Sequence, residues 1–287
     1  LDQLLETETL PRCPICGATA ATQVLAHPDG YLTQLRLQSC ADCQGVYLNP
    51  RLTFAAIVQI EDASEGYNFS GTVAEEWIAR LVGLVGWLEG YVRSAERRLL
   101  DIGCNRGLLL EGARRRGWQV TGVEISAAAE RARQEYGLTV YGRLEELPPA
   151  ARFDLITAWH VLEHTTDPVG FLRQAAGKLA PGGVLALQVP SFDFIDEYLR
   201  RNQSTSILCT VHNFYFTGQN LPGVLTRAGL TPLYLDNDAN TLFLTAIANR
   251  PATPSERLTK AAALIKRGQW ATLAREAAQF VRWRVGA

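Results

Sequence analysis

Short apolar runs alternate with helical stretches between residues 98 and 249, the pattern of a sheet whose strands are joined by helices. Leu99-Leu100-Asp101-Ile102-Gly103 reads as a strand ending at glycine, and Leu108 to Arg116 as the helix after it. Trp118 to Glu124 is a second strand, followed by a helix that Ser126 can cap. Leu138 to Tyr141 is a weak third strand, and Phe153 to Trp159 is a fourth. Asp167-Pro168 starts a helix running to Leu179, and Pro181-Gly182-Gly183 turns the chain into a fifth strand, Val184 to Val189. Gly218 to Ala228 reads as another helix, and Thr231 to Leu235 with Thr241 to Ile247 as a closing hairpin.

Outside this block the pattern changes. Residues 51–97 read as a helical linker or lid, with Trp77, Leu81, Leu84, Val85 and Leu88 at helical spacing. Residues 250–287 follow the break Arg250-Pro251-Ala252-Thr253-Pro254 and read as a basic helical tail. Trp270, Leu273, Ala277 and Phe280 mark one face of that tail, beside Arg275, Arg282 and Arg284. Such a helix packs on its own domain, or meets an anionic membrane or a protein partner. Across all 287 residues the formal net charge is −1, which argues against a general nucleic-acid binder. The longest uncharged apolar stretch, Leu81 to Leu88, is too short to span a bilayer, and no secretory leader is visible, so a cytoplasmic location is expected.

Residues 1–50 hold four of the six cysteines. Cys13-Pro14-Ile15-Cys16-Gly17 and Cys40-Ala41-Asp42-Cys43 are two C-x-x-C knuckles, the arrangement of a zinc ribbon holding a structural Zn²⁺. Gly17 suits the tight turn, and Val24, Leu32, Leu35 and Leu37 fit a small hairpin between the knuckles. Two disulfides, or four unrelated core cysteines, are the other readings; without a secretory leader the disulfides are the weaker one. Cys104 and Cys209 lack partners at metal spacing and read as small core residues.

Asp101-Ile102-Gly103-Cys104-Asn105-Arg106-Gly107 follows the first core strand and opens a helix, where glycines and unpaired N–H groups suit a ligand. Glu124, at the end of the next strand, stands where doubly wound folds place a ribose-binding acid; a simple cap on Ser126 is the alternative. Leu99 to Gly107, Val123-Glu124-Ile125, Phe153 to Ile156, Val161 to His164 and Leu179 to Gly183 stand in one order. In that order, over residues 98–248, the chain resembles class I S-adenosylmethionine (SAM)-dependent methyltransferases. The resemblance implies an α/β fold: a Rossmann-like seven-stranded sheet with a reversed last hairpin, here with the small ribbon and helical additions. It implies that Asp101, Gly103, Asn105 and Gly107 line the methionine part of SAM and that Glu124 holds the ribose. Ile125 would pack on adenine, Leu144 or Glu145 lie near its edge, and Trp159 and His160 face the sulfonium. In relatives a tyrosine at the place of Tyr67 closes over the methionine end; ordinary packing of Tyr67 and Phe69 is the other reading.

His160-Val161-Leu162-Glu163-His164 matches a metalloprotease pattern by chance, since it follows a sheet strand and no third ligand is marked. In some relatives, including the O-methylating enzymes of ubiquinone synthesis, Glu-x-x-Glu-His here binds a divalent ion. His160 in place of the first acid favours a softer ion or none; in other relatives the Glu-His pair bonds loop backbone. His212 lies in a stretch that crosses above the cofactor pocket in the resembling family. Of the Tyr-His-Glu-His-x-x-Tyr-Phe pattern of zinc-ribbon-bearing sugar C-methyltransferases, only His212, Tyr215 and Phe216 match. O- or N-methylation needs only an aligned nucleophile and a base, which assigns His212 or His160 to that role, unless His212 is a packing residue. The resulting expectation is methyl transfer to a hydroxyl or amine of a small molecule, such as a sugar nucleotide, glycan or secondary metabolite. An RNA base methyltransferase with a zinc knuckle and a non-catalytic binding module are the alternatives.

Overall fold

The computed structural model describes residues 5–26, 36–63, 71–94, 96–195, 197 and 208–251. Residues 1–250 form one unit and 251–287 another, whose chain beyond Pro251 lies outside the described residues, and with it the amphipathic tail. The first unit opens with β1 (Thr7–Glu8), β2 (Ala21–Ala26), β3 (Arg36–Cys40), β4 (Val46–Leu48) and β5 (Arg51–Leu52), followed by helices α1 (Phe54–Ala63) and α2 (Thr72–Leu88). Then strand and helix alternate: β6 (Arg98–Ile102), α3 (Leu108–Arg115), β7 (Gln119–Val123), α4 (Ala128–Tyr136), β8 (Val140–Tyr141), β9 (Phe153–Trp159), α5 (Pro168–Gly177) and β10 (Leu179–Pro190). β11 (Phe214–Tyr215), α6 (Leu221–Arg227), β12 (Thr231–Asp238) and β13 (Phe243–Asn249) complete the described part.

Seven of these strands make one sheet in the order β12-β13-β10-β9-β6-β7-β8. The central pairs are parallel and β13 runs antiparallel to both its neighbours, the reversed hairpin that the sequence pattern implies. Helices cover both faces, so the central strands bury nearly every side chain; all of Phe153–Ala158 is buried. Asp154 is fully buried because its Oδ2 accepts the backbone N–H of Arg98 at 2.8 Å, which ties the first residue of β6 to β9. Asp167 caps α5 by accepting from the Gly170 N–H, with Pro168 in the first turn.

Two sequence expectations change in detail. β10 begins at Leu179, ahead of the expected turn, because a register shift between Leu179 and Val184 lets the Pro-Gly-Gly segment bulge without leaving β9. Gly183 lies where a Cβ would stand 2.8 Å from the Phe153 carbonyl, so the bulge admits no side chain there. The 51–97 segment is not helical throughout: Arg51–Leu52 pairs antiparallel with Thr7–Glu8. On α2 the buried residues are Ala74, Ile78, Val85 and Leu88, whereas Trp77 is 40% exposed.

The remaining four-stranded sheet, β11-β4-β3-β2, contains the expected hairpin between the cysteine knuckles; Leu32 and Leu35 lie outside the described residues. β11 joins it from more than 160 residues away, pairing Phe214 with Tyr47 and Tyr215 with Val46. Cys13, Ile15, Cys40 and Tyr47 belong to the same buried cluster as Phe214, Phe216 and the strands of the main sheet. Among the described residues no helix is long and apolar enough to cross a membrane.

Glu89, after α2, gathers Arg97, Arg116 and the Trp118 indole N–H, the last at 2.9 Å. The Arg116 hydrogen bonds hold its carboxyl down at about 2, against burial, with help from Trp118 and Arg97. A depressed acid stabilises the fold above its unfolded value of 4.5 and loses that contribution as pH falls towards 2. Glu89→Gln is therefore expected to lower stability by about 1–2 kcal/mol at pH 7, with the deficit shrinking towards pH 2–3, in urea melts at both pH values.

Candidate functional site

β6 and β7 end side by side, and the loops that leave them shape the floor of a cleft of about 1360 Å³. That exceeds the ~300–1,000 Å³ of a common single-ligand pocket and leaves room for two molecules. After β6 the chain must turn sharply into α3. Gly103 takes φ +72°, and the space its Cβ would fill is held by the Val161 side chain. Asn105 takes φ +47°, and its Oδ1 accepts the Arg106 N–H at 2.8 Å. Gly107 starts α3 with a left-handed backbone packed on Leu138 and Ala132, and is not among the cleft-lining residues.

Glu124 stands just past β7 and is buried. Its Oε2 accepts the Asn105 N–H and its Oε1 the Ser126 N–H, both at 2.8 Å. Glu124 thus makes the bond to Ser126 that the alternative reading expects, and it also holds the glycine-bearing loop and lines the cleft. Asp101, the fourth residue of β6, is buried and receives the Thr157 hydroxyl at 2.7 Å. Burial raises its carboxyl to about 7, against the Thr157 hydrogen bond and with help from the negative charge of Glu124. Thr157 is absent from the sequence reading; its signal is the parallel register that sets it opposite Asp101. Ile125, Leu144, Glu145, Trp159 and His160 line the same cleft, with Ile125 40% exposed. Tyr67 and Phe69 lie outside the described residues.

The opposite end of the cleft is rich in imidazole. His160 follows β9 with φ +53°; its N–H donates to the Gln188 carbonyl at 2.8 Å and its ring meets Phe243 edge-on at 4.7 Å. In the next turn Glu163 is fully buried, its Oε1 3.4 Å from His160 Nδ1. Neither oxygen of Glu163 has a hydrogen bond among the described residues. Burial alone would raise this carboxyl, but contact with His160 and the nearby His164 and His212 bring it below its ordinary value. His212 is buried, and its ring packs against His164 at 4.7 Å. One ligand atom each from Glu163, His164 and His212 lie within 4.8 Å of one another. The sequence names His212 and His160 separately; the fold brings both to one acid. Chemically, such a group can take a proton from an acceptor.

The four cysteines of the two knuckles converge, their sulfurs all within 4.8 Å of one another. Cys13 and Cys43 sulfurs lie 3.7 Å apart, and those of Cys16 and Cys40 3.5 Å. A tetrahedron of ~2.3 Å zinc–sulfur bonds has edges of about 3.8 Å, so the set fits such an ion. Backbone N–H groups of Ile15 and Cys16 reach Cys13, those of Asp42 and Cys43 reach Cys40, and Gly45 serves Cys43. Burial raises Cys13 to about 11 and drives Cys43 up as well, while Cys40 is lowered by those N–H bonds despite its burial. A cation bound there would take all four as thiolates and offset that burial. All four are free of disulfides; Cys104 is buried and Cys209 half-buried.

The sequence profile of the Methyltransferase domain family matches residues 72–235. Ubiquinone biosynthesis O-methyltransferase of Bradyrhizobium sp. (strain ORS 278) is 43% identical over 97 residues, covering 31% of this chain and 38% of that protein. The protein of the same name from Bradyrhizobium diazoefficiens is 36% identical over 154 residues, covering 44% and 61%. The chain thus spans less than two thirds of the length of these relatives. Among solved structures, magnesium protoporphyrin IX methyltransferase from Synechocystis PCC 6803 with bound SAH is 17% identical. The match covers 65% of this chain and 90% of that one, with a TM-score of 0.49.

Asp101 carries a stability cost of definite sign. The folded protein holds its proton more tightly than the unfolded chain, so stability falls as pH rises from the ordinary 3.8 to about 7. Asp101→Asn, which keeps an oxygen for Thr157, is expected to raise stability at pH 8 by on the order of 2 kcal/mol and to change little at pH 4, in urea melts.

Proposed function

The chain belongs to the methyltransferase-domain family, and on that premise we propose that it moves a methyl group from SAM to a hydroxyl of a small molecule. The observation that carries this reading is the pair of backbone bonds from Asn105 and Ser126 to Glu124 at the floor of a two-molecule cleft. A carboxylate accepts about four hydrogen bonds. Two are used in shaping the loops, and Glu124 keeps capacity for the ribose hydroxyls. Asp101, beside the Gly103 and Asn105 bend, attracts the ammonium of the methionine end; Ile125, Leu144 and Glu145 flank adenine, and Trp159 faces the sulfonium. SAM, when bound, supplies a methyl already activated on a sulfonium centre.

The chain's own part in the reaction is alignment and removal of one proton. His212 takes it, with Glu163 and the neighbouring imidazoles stabilising the charge that develops, and His160 borders the same space. The relatives named for O-methylation favour a hydroxyl over an amine as acceptor. The four cysteines hold a structural Zn²⁺: four thiolates leave no open position for catalysis.

Calorimetry is expected to show one SAM per chain. Asp101→Ala should weaken binding at least ~10-fold, the loss of a charged partner in a buried site. His212→Ala should leave SAM affinity within about twofold and lower turnover by ~100-fold, the usual size of a general-base contribution. An unchanged rate would remove His212 from the mechanism. Metal analysis is expected to find one zinc per chain, lost in Cys16→Ser.

A further inference from the structure

The cysteine module and the imidazole end of the cleft share a strand. β11 continues from His212 but belongs to the ribbon sheet, not to the seven-stranded one. Between His212 and β11 stands Asn213, fully buried. Its carbonyl accepts the Leu48 N–H of β4 at 3.0 Å, its own N–H donates to the Glu163 carbonyl at 2.8 Å, and its Nδ2 donates to the Thr165 carbonyl at 3.2 Å. One residue therefore joins the ribbon to the carbonyls on either side of His164 in that turn.

Two further links run in parallel. Asn220 donates to the carbonyl of Gln44, which directly follows Cys43 in the second knuckle, at 3.2 Å. Arg51, just after the ribbon, is buried; it donates to the Thr166 carbonyl at 2.8 Å and lies over the Phe214 ring. At its other end the same turn presses Val161 into the space above Gly103. The ribbon is thus in bonded contact with the turn, and the turn abuts the loop at the β6 end. The ribbon packs on the main core, but its two knuckles face each other across the four sulfurs, so loss of an ion held there would loosen them. The shape of the turn then depends on that ion.

We infer that the four-cysteine module is a positioning element, and that Asn213 is the positioning residue through which it orients the Glu163–His164 turn and His212. The inference rests on the reading of these residues as the acid–base end of a methyltransferase cleft. Its test uses no cofactor, so it stands or falls apart from that reading.

The test is hydrogen exchange by mass spectrometry on the full chain, zinc-loaded and after chelation. On metal loss, a peptide covering residues 161–166 should exchange at least ~10-fold faster, the loss of about one hydrogen bond's worth of protection. Peptides within β6 and β9 should stay within about twofold. Asn213→Ala should speed exchange in the same turn while retaining its full complement of zinc. If the turn is indifferent to the metal, the ribbon is only a neighbour. If β6 and β9 accelerate as much as the turn, the ion holds the whole fold and positions nothing. If Asn213→Ala, which removes the Nδ2 bond to Thr165 and keeps both backbone bonds, leaves the turn protected, the Asn213 side chain does not position the turn. Where turnover is measurable, Asn213→Ala should lower kcat about tenfold with KM for SAM within twofold, the mark of lost alignment at intact cofactor binding.

Discussion

A buried carboxylate between two loop N–H groups is the constraint from which the cleft follows. Chains leaving the ends of adjacent parallel strands carry donors that no ladder reaches, and a buried donor without an acceptor is costly. Glu124 answers two of them at once, from Asn105 and from Ser126. Glutamine would offer an amide N–H where one of these donors needs an oxygen, so the position calls for an acid before any ligand arrives. The group that shapes the loops is also the one to which the proposed reading assigns the ribose hydroxyls. Asp101 repeats the logic one strand away, at the cost of a charge held in a dry place and eased by Thr157.

The main sheet was legible because parallel strands buried on both faces read as continuous apolar runs. Phe153 to Trp159 matches the observed β9 residue for residue, and the helix start at Asp167-Pro168 is where a cap and a proline place it. Legibility fails where an element is too short to have a period. Thr7–Glu8, Arg51–Leu52 and Phe214–Tyr215 are strands only because a distant partner makes them so. The helical spacing of Trp77, Leu81, Leu84, Val85 and Leu88 was legible as α2, but not which of its residues turn inward, since Trp77 stays 40% exposed.

The site divides along the same line. The cysteines were legible because a metal imposes its spacing locally, two residues between thiolates in each knuckle. The glycine bend and Glu124 were legible because they belong to one strand–helix–strand unit. The bond between Thr157 and Asp101 spans 56 positions and exists only through sheet register. The meeting of Glu163 with His212, and of Asn213 with Leu48, depends on β11, which follows the fifth main-sheet strand in the chain yet pairs in the other sheet. No pattern within a window of sequence carries that information.

His160 shows how much the fold invests in the imidazole end. A non-glycine residue in the left-handed region costs roughly 1–2 kcal/mol, although histidine tolerates it better than branched residues. The strain is held by the bond to Gln188, itself in register with Trp159, and by the ring of Phe243. The reversal it produces sends the next turn inward and places Glu163 in a fully buried position. An ionised carboxylate there needs positive charge or hydrogen bonds close by, and His160, His164 and His212 are the groups that lower it. Burial and the three neighbouring imidazoles thus act on this carboxyl in opposite directions. The spacing of that cluster is tied in turn to the four-stranded sheet, because the Asn213 N–H that reaches the Glu163 carbonyl leads directly into β11.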